Sequence, residues 1–158
     1  MRELILLRHA HAESAAPGQD DLDRALSLQG QAEAEAAGRW LREQGLLPDR
    51  VLCSPARRTR ETIERVLEAV GFVEVRHDQR IYEATPGGLM QVADEHRELG
   101  RVLLVGHNPG FEQLVALLSS GQTSDFRGMP AAGIAVLRLP EAAELEPGIA
   151  ELAAFWWP

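Results

Sequence analysis

The feature that most constrains this chain is a pattern repeated three times. A short apolar run ends abruptly in residues suited to chemistry. Leu4-Ile5-Leu6-Leu7 stops at Arg8-His9, Val51-Leu52-Cys53 at Ser54-Pro55-Ala56-Arg57, and Val102-Leu103-Leu104-Val105 at Gly106-His107-Asn108-Pro109. Continuous apolar runs of this length read as buried strands, and a core does not admit arginine or histidine without a reason. In an open α/β sheet, ligands bind just beyond the carboxyl ends of the strands. The three runs therefore predict a sheet that delivers Arg8, His9, Arg57 and His107 to one edge.

The intervening segments read as helices. Ser27 is an expected N-cap for a helix over 28–44, with Leu28, Ala32, Ala36 and Trp40 as its core stripe, Leu41 beside them, and Gly45 closing it. Ser54 caps and Pro55 opens a second helix to Val70, with Ile63, Val66, Leu67 and Val70 buried. Successive helical positions turn about 100°, so Arg57, Arg58 and Arg60 cannot share one face. Arg57 is taken for the site by its position in the motif, and Arg58 and Arg60 for solvent-facing partners of Glu61 or Glu64, with a rim role in substrate docking as the alternative. Val73–Arg76 reads as a polar edge strand, and Thr85-Pro86 as the start of a helix over 87–99. Asn108-Pro109 opens a helix to Ser119. Strands are expected over 133–139 and 151–157, antiparallel to each other. Residues 11–26, 120–132 and 140–148 read as loops, and His77 and His96 as facing water. Strand–helix alternation gives an α/β fold: a three-layer α/β/α sandwich, its sheet mostly parallel with an antiparallel strand near one edge. Nothing in the pattern divides residues 1–158 into more than a single domain.

Composition narrows the function. The 158 residues are 45% hydrophobic and 25% charged, ordinary for a globular protein, with a formal net charge of −8. That charge disfavours nucleic acid and anionic membrane surfaces as partners. The single cysteine, Cys53, allows no internal disulfide and is compatible with a cytoplasmic location. The apolar start is too short for a signal peptide, and no run approaches a membrane span. Oligomeric state is left open.

Arg8-His9-Ala10, Ser54-Pro55-x-Arg57 and Gly106-His107-Asn108-Pro109, in this order, resemble the histidine phosphatase (phosphoglycerate-mutase-like) superfamily. Length and the second histidine loop resemble its small SixA-type phosphohistidine phosphatases. Ala10 stands where the superfamily usually has glycine. Ala12 and Ala15 stand where longer mutase-like members carry Ser and Asn, which argues against the mutase branch.

The resemblance implies that His9 is the nucleophile, forming a covalent phosphohistidine that water then hydrolyses. The residue types suit this chemistry. Arginine holds phosphate oxygens bidentately and stays charged, so Arg8 and Arg57 form the expected clamp. Neutral imidazole is nucleophilic near pH 7. His107 is expected to bind the phosphate as the cation, and two helix N-termini add partial positive charge. No metal or other cofactor is then required. Glu83, before the third helix, is the candidate general acid, with a plain loop glutamate as the alternative. The substrate implied is a phosphorylated protein bearing phosphohistidine; a small phosphate monoester is the alternative, as is a non-catalytic phospho-ligand binding module. His9-x-His11 also resembles a metal-binding pair, a reading opposed by Arg8 and Arg57 beside it.

Overall fold

The computed structural model describes residues 1–124, 128–141 and 143–158. Six strands form one sheet: β1 (Glu3–Arg8), β2 (Arg50–Cys53), β3 (Val75–His77), β4 (Arg101–Gly106), β5 (Ile134–Arg138) and β6 (Glu151–Trp156). Their order across the sheet is β3-β2-β4-β1-β5-β6. β1, β2, β3 and β4 run parallel, β5 is antiparallel to β1, and β6 is antiparallel to β5. The expected α/β class, largely parallel sheet and antiparallel strand near one edge are all present.

Helices α1 (Leu28–Glu43), α2 (Arg57–Val70), α3 (Pro86–Asp94) and α4 (Gly110–Ser120) fill the outer layers. Alternation of side chains along each strand divides them between the two faces. Ile5, Leu7, Val51, Cys53, Leu103 and Val105 pack with Ala37, Leu41, Ile63 and Val66 of α1 and α2. Leu4, Leu6, Leu52, Val102 and Leu104 face the other way, onto Leu89, Val92, Phe111 and Leu114 of α3 and α4. Both faces of β1 and β4 are thus covered, which is why their sequences read as unbroken apolar runs.

Several local expectations need correction. Of the expected stripe Leu28, Ala32, Ala36 and Trp40, only Trp40 packs against the core, stacked on Trp156 with ring centroids 5.4 Å apart. Leu28 is 83% exposed and Ala32 is exposed, while Gly30, Ala34, Ala37, Gly38 and Leu41 are buried. The reason is the close approach of α1 to α2 at one end and to the loop after β1 at the other. A Cβ on Gly38 would lie 2.7 Å from the Val66 carbonyl oxygen, and one on Gly30 would lie 1.9 Å from that of His11. Backbone proximity, rather than the largest apolar side chains, selects the face. α2 starts at Arg57, two residues after Pro55, with Ser54 Oγ accepting from Ala56 N–H just ahead of it. α3 ends at Asp94 and gives way to turns. His96 does not face water: it is buried, with Nδ1 3.0 Å from Arg50 Nη1. The expected loops at 120–132 and 140–148 lie partly outside the described residues.

Candidate active site

The sheet order decides which loops meet. β4 lies between β2 and β1, so the loop after β4 is flanked by those after β2 and β1. His107, from the middle loop, reaches both neighbours. Its Nε2 is 2.8 Å from Ser54 Oγ on the β2 side, and its ring centroid is 5.3 Å from that of His9 on the β1 side.

His9 is held by its backbone and by its ring. Its N–H donates to Gly106 O at 3.0 Å, and its C=O accepts from Ala132 N at 3.1 Å. Nδ1 lies 2.7 Å from Ala10 O. A carbonyl can only accept, so Nδ1 carries the proton and Nε2 keeps its lone pair. Burial, with the nearby Arg58 and Arg8 charges, lowers the His9 pKa to about 4. The imidazole is neutral at physiological pH. Ala10 is fully buried in a small cluster with Leu26, Ala34 and Ala132, and its N–H donates to Thr62 Oγ1 at 3.0 Å. Its φ is not among the positive ones, so the methyl in place of the usual glycine brings no backbone strain.

For the free protein the expected His107 cation needs correction. Burial lowers its pKa to about 3, reinforced by His9, Arg58 and Arg8. With two arginines already in the pocket, a third positive charge is disfavoured, and the ring is neutral in the free protein. Ser54, fully buried, accepts a hydrogen bond from Ala56 N–H at 3.3 Å. The same hydroxyl is 2.8 Å from His107 Nε2, so Ser54 holds that side of the ring while Nδ1 is left buried without a partner.

The clamp is the second correction. Arg8 is present as expected: Nη1 donates to Met129 O at 2.8 Å, the same carbonyl that accepts from Asn108 Nδ2 at 2.9 Å. Arg57 instead faces outward. Its side chain is 41% exposed and lies 3.8 Å from Asp23 and 3.5 Å from Glu61. The neighbouring Arg58, with a side chain 7% exposed, lines the cavity with His107. α2 buries Thr59, Thr62, Ile63 and Val66, and Arg58 lies one helical turn before Thr62 on that face. The signal was therefore available: the stripe, extended back in steps of four from Val66, reaches Thr62 and then Arg58. Arg60 stays exposed, its Nε donating to Pro55 O at 3.0 Å.

Three buried polar atoms among the described residues have no hydrogen-bond partner: Arg8 Nε, Arg58 Nε and His107 Nδ1. All three belong to groups whose charge or ring acts on the same two imidazoles. Buried donors are ordinarily satisfied. Two arginine N–H groups and a ring nitrogen left unsatisfied beside a neutral histidine make a cradle suited to a compact oxyanion.

Beside this cradle lies a cavity of about 280 Å³. Asp21, Arg58, Tyr82 and His107 form its polar side, and Ala84, Pro109 and Gly110 its floor, with Glu83 at the rim. Tyr82 sets its ring edge-on to His107, with centroids 5.5 Å apart, and its hydroxyl donates to Asp21 Oδ2 at 2.6 Å. Tyr82 and Asp21 were not anticipated. Their partners come from segments far apart in sequence, and no spacing rule connects them. Glu83 is exposed and adopts φ +55°, a conformation rare outside glycine and asparagine. His11 turns away: its Nδ1 is 2.6 Å from Ser27 Oγ. On the β4 side, α4 begins at Gly110 next to the cavity, and Asn108 Oδ1 accepts from Glu112 N–H at 3.3 Å.

Comparison with known proteins agrees with this geometry. Residues 4–99 match the family model of the histidine phosphatase superfamily, branch 1. The chain belongs to the histidine phosphatase superfamily. This histidine phosphatase is 38% identical over 162 residues to the uncharacterised protein Rv1276c of Mycobacterium tuberculosis strain H37Rv, covering 94% of this chain and 98% of that one. The crystal structure of SixA from Agrobacterium tumefaciens superposes with a TM-score of 0.86 at 31% identity, covering 99% of this chain and 98% of that one. A protein histidine phosphatase SixA complexed with tungstate shares the fold, with a TM-score of 0.84 at 24% identity over 99% of this chain and 97% of that one. The small SixA-type branch is thus where this histidine phosphatase falls. No helix among its described residues is long and apolar enough to cross a membrane.

Proposed function

We propose that the protein is a metal-independent phosphatase that works through a covalent phosphohistidine on His9, with protein phosphohistidine as its substrate. One observation carries the reading. His9 Nε2 keeps a free lone pair, because Nδ1–H is committed to Ala10 O, and unpartnered nitrogens of Arg8, Arg58 and His107 belong to the group whose charges act on this ring and on its neighbour His107. Nε2 attacks phosphorus, the bond to the leaving group breaks, and the electrons and a proton end on that group. Water then attacks the phosphohistidine and releases inorganic phosphate. Arg8 and Arg58 spread the charge of the equatorial oxygens, and His107 Nδ1 adds a third contact. This arrangement supplies positive charge without a metal ion.

The leaving group is the less constrained part. Glu83 at the cavity rim can give a proton to an alkoxide. A phosphoramidate has a weaker bond and a more basic nitrogen, and depends less on such a donor. The cavity is modest and borders an open rim, which suits a side chain presented by another protein. The SixA-type relatives, one of them named a protein histidine phosphatase, support the same substrate class. The test is a comparison of kcat/KM on a phosphohistidine-bearing protein and on a panel of small phosphate monoesters. The phosphoprotein is expected to be the better substrate. A small ester turned over at about 10⁴ M⁻¹s⁻¹ or above, in the ordinary enzyme range, with the phosphoprotein untouched, would reverse the substrate assignment.

A further inference from the structure

The loop between β1 and α1 is polar and largely exposed, yet one of its residues is tied firmly to the site. Asp21 lies in a 3₁₀ turn, Asp21–Asp23, and gathers donors from three segments. Its main-chain oxygen accepts from Arg58 Nη1 at 2.8 Å, and Oδ2 accepts from Arg58 Nη2 at 2.9 Å and from Tyr82 Oη at 2.6 Å. Oδ1 accepts from Arg24 Nη1 at 3.1 Å. Hydrogen bonding by Tyr82, then by Arg24 and Arg58, holds its carboxyl well below the usual range, so it is ionised throughout the working pH range.

A guanidinium presents its five N–H groups along flat edges. Asp21 occupies the edge between Nη1 and Nη2 of Arg58. What remains is the edge that includes Nε–H, and Nε is buried without a partner. Tyr82, on the same carboxylate oxygen, sets its ring against His107. One carboxylate therefore fixes both the arginine edge and the aromatic wall of the second histidine.

We propose that Asp21 is a positioning residue for phosphate recognition, acting through Arg58 by turning its Nε edge into the cradle. The inference rests on the phosphatase reading of the site. As a stability contact the pair contributes little, because the Asp21 side chain is 49% exposed. Its role lies in orientation, and this separates it from a simple charge effect. Coulomb's law alone says that removing a carboxylate beside a phosphate site tightens phosphate binding. Positioning says that the same change loosens it.

The experiment is a double-mutant cycle on inorganic phosphate and tungstate binding, measured by calorimetry on the wild type, Asp21→Ala, Arg58→Ala and the double variant. Asp21→Ala is expected to weaken both anions by about tenfold, the scale of a charge-assisted hydrogen bond lost from Arg58. In the Arg58→Ala background the same change is expected to cost less than about twofold, since contacts that share a partner are not additive. Tyr82→Phe, which keeps the carboxylate on Arg58, should retain most of the affinity. Slow hydrogen exchange at Arg58 Nε–H in the wild type, accelerated in Asp21→Ala, reads the orientation directly. Unchanged or tighter anion binding in Asp21→Ala, equal losses in both backgrounds, or unaltered Arg58 Nε–H exchange would each overturn the proposal. Turnover of phosphate esters by the wild type is scored separately. A protein that binds phosphate with the expected coupling but turns nothing over loses the enzyme reading and keeps this one.

Discussion

Arg57 and Arg58 are adjacent in the chain, but only one of them reaches the cradle. Arg58→Ala should lower kcat/KM by about a hundredfold or more, the scale for losing a preorganised charge contact to the transition state. Arg57→Ala, which removes exposed pairs with Asp23 and Glu61, should stay within a few-fold of wild type. A reversed ranking would restore Arg57 to the site. The two histidines make a second prediction. Both pKa values lie below that of a free imidazole, at about 4 for His9 and about 3 for His107, against about 6.5 unfolded. Between those limits the unfolded chain binds more protons than the native one, so stability falls as pH drops from 6.5 toward 4. Denaturant midpoints should be lower at pH 5 than at pH 7, and His107→Asn should reduce that difference. Imidazole NMR signals of His9 should show no protonation down to about pH 5; a titration centred near 6.5 would contradict the burial argument.

The elements were more legible in the sequence than the faces they turn to one another. All six strands and four helices were anticipated within a few residues, because apolar runs, caps and prolines are local signals. The buried face of α1 was not, because it is chosen by the approach of α2 to Ala37 and Gly38 and of the His11 backbone to Gly30, and alanines spaced by four fit several faces equally. The same limit explains Arg58 and Asp21, whose roles depend on partners 37 positions apart. Gly38→Ala forces a methyl to 2.7 Å from Val66 O and should cost about 1–3 kcal/mol, as overpacking does. Leu28→Gln, on the exposed side, should stay within about 0.5 kcal/mol. Equilibrium unfolding of both variants checks the assignment of the face; a costly Leu28→Gln would contradict it.

At the scale of the molecule, a parallel order of β2, β4 and β1 brings three loops to one edge, and with them two arginines, two histidines and the serine that orients one of them. Charge is supplied by side chains, so activity should survive exhaustive EDTA treatment. Loss on chelation, restored by zinc or manganese, would return attention to His9 and His11 as a metal pair. The most direct test of the account is the phosphoenzyme itself. Wild-type protein quenched during turnover of a labelled phosphate donor should carry acid-labile, base-stable phosphate that maps to His9. His9→Ala should keep the fold, lose turnover and carry no label; a label that persists in His9→Ala, or one mapping to another residue in the wild type, would contradict the account.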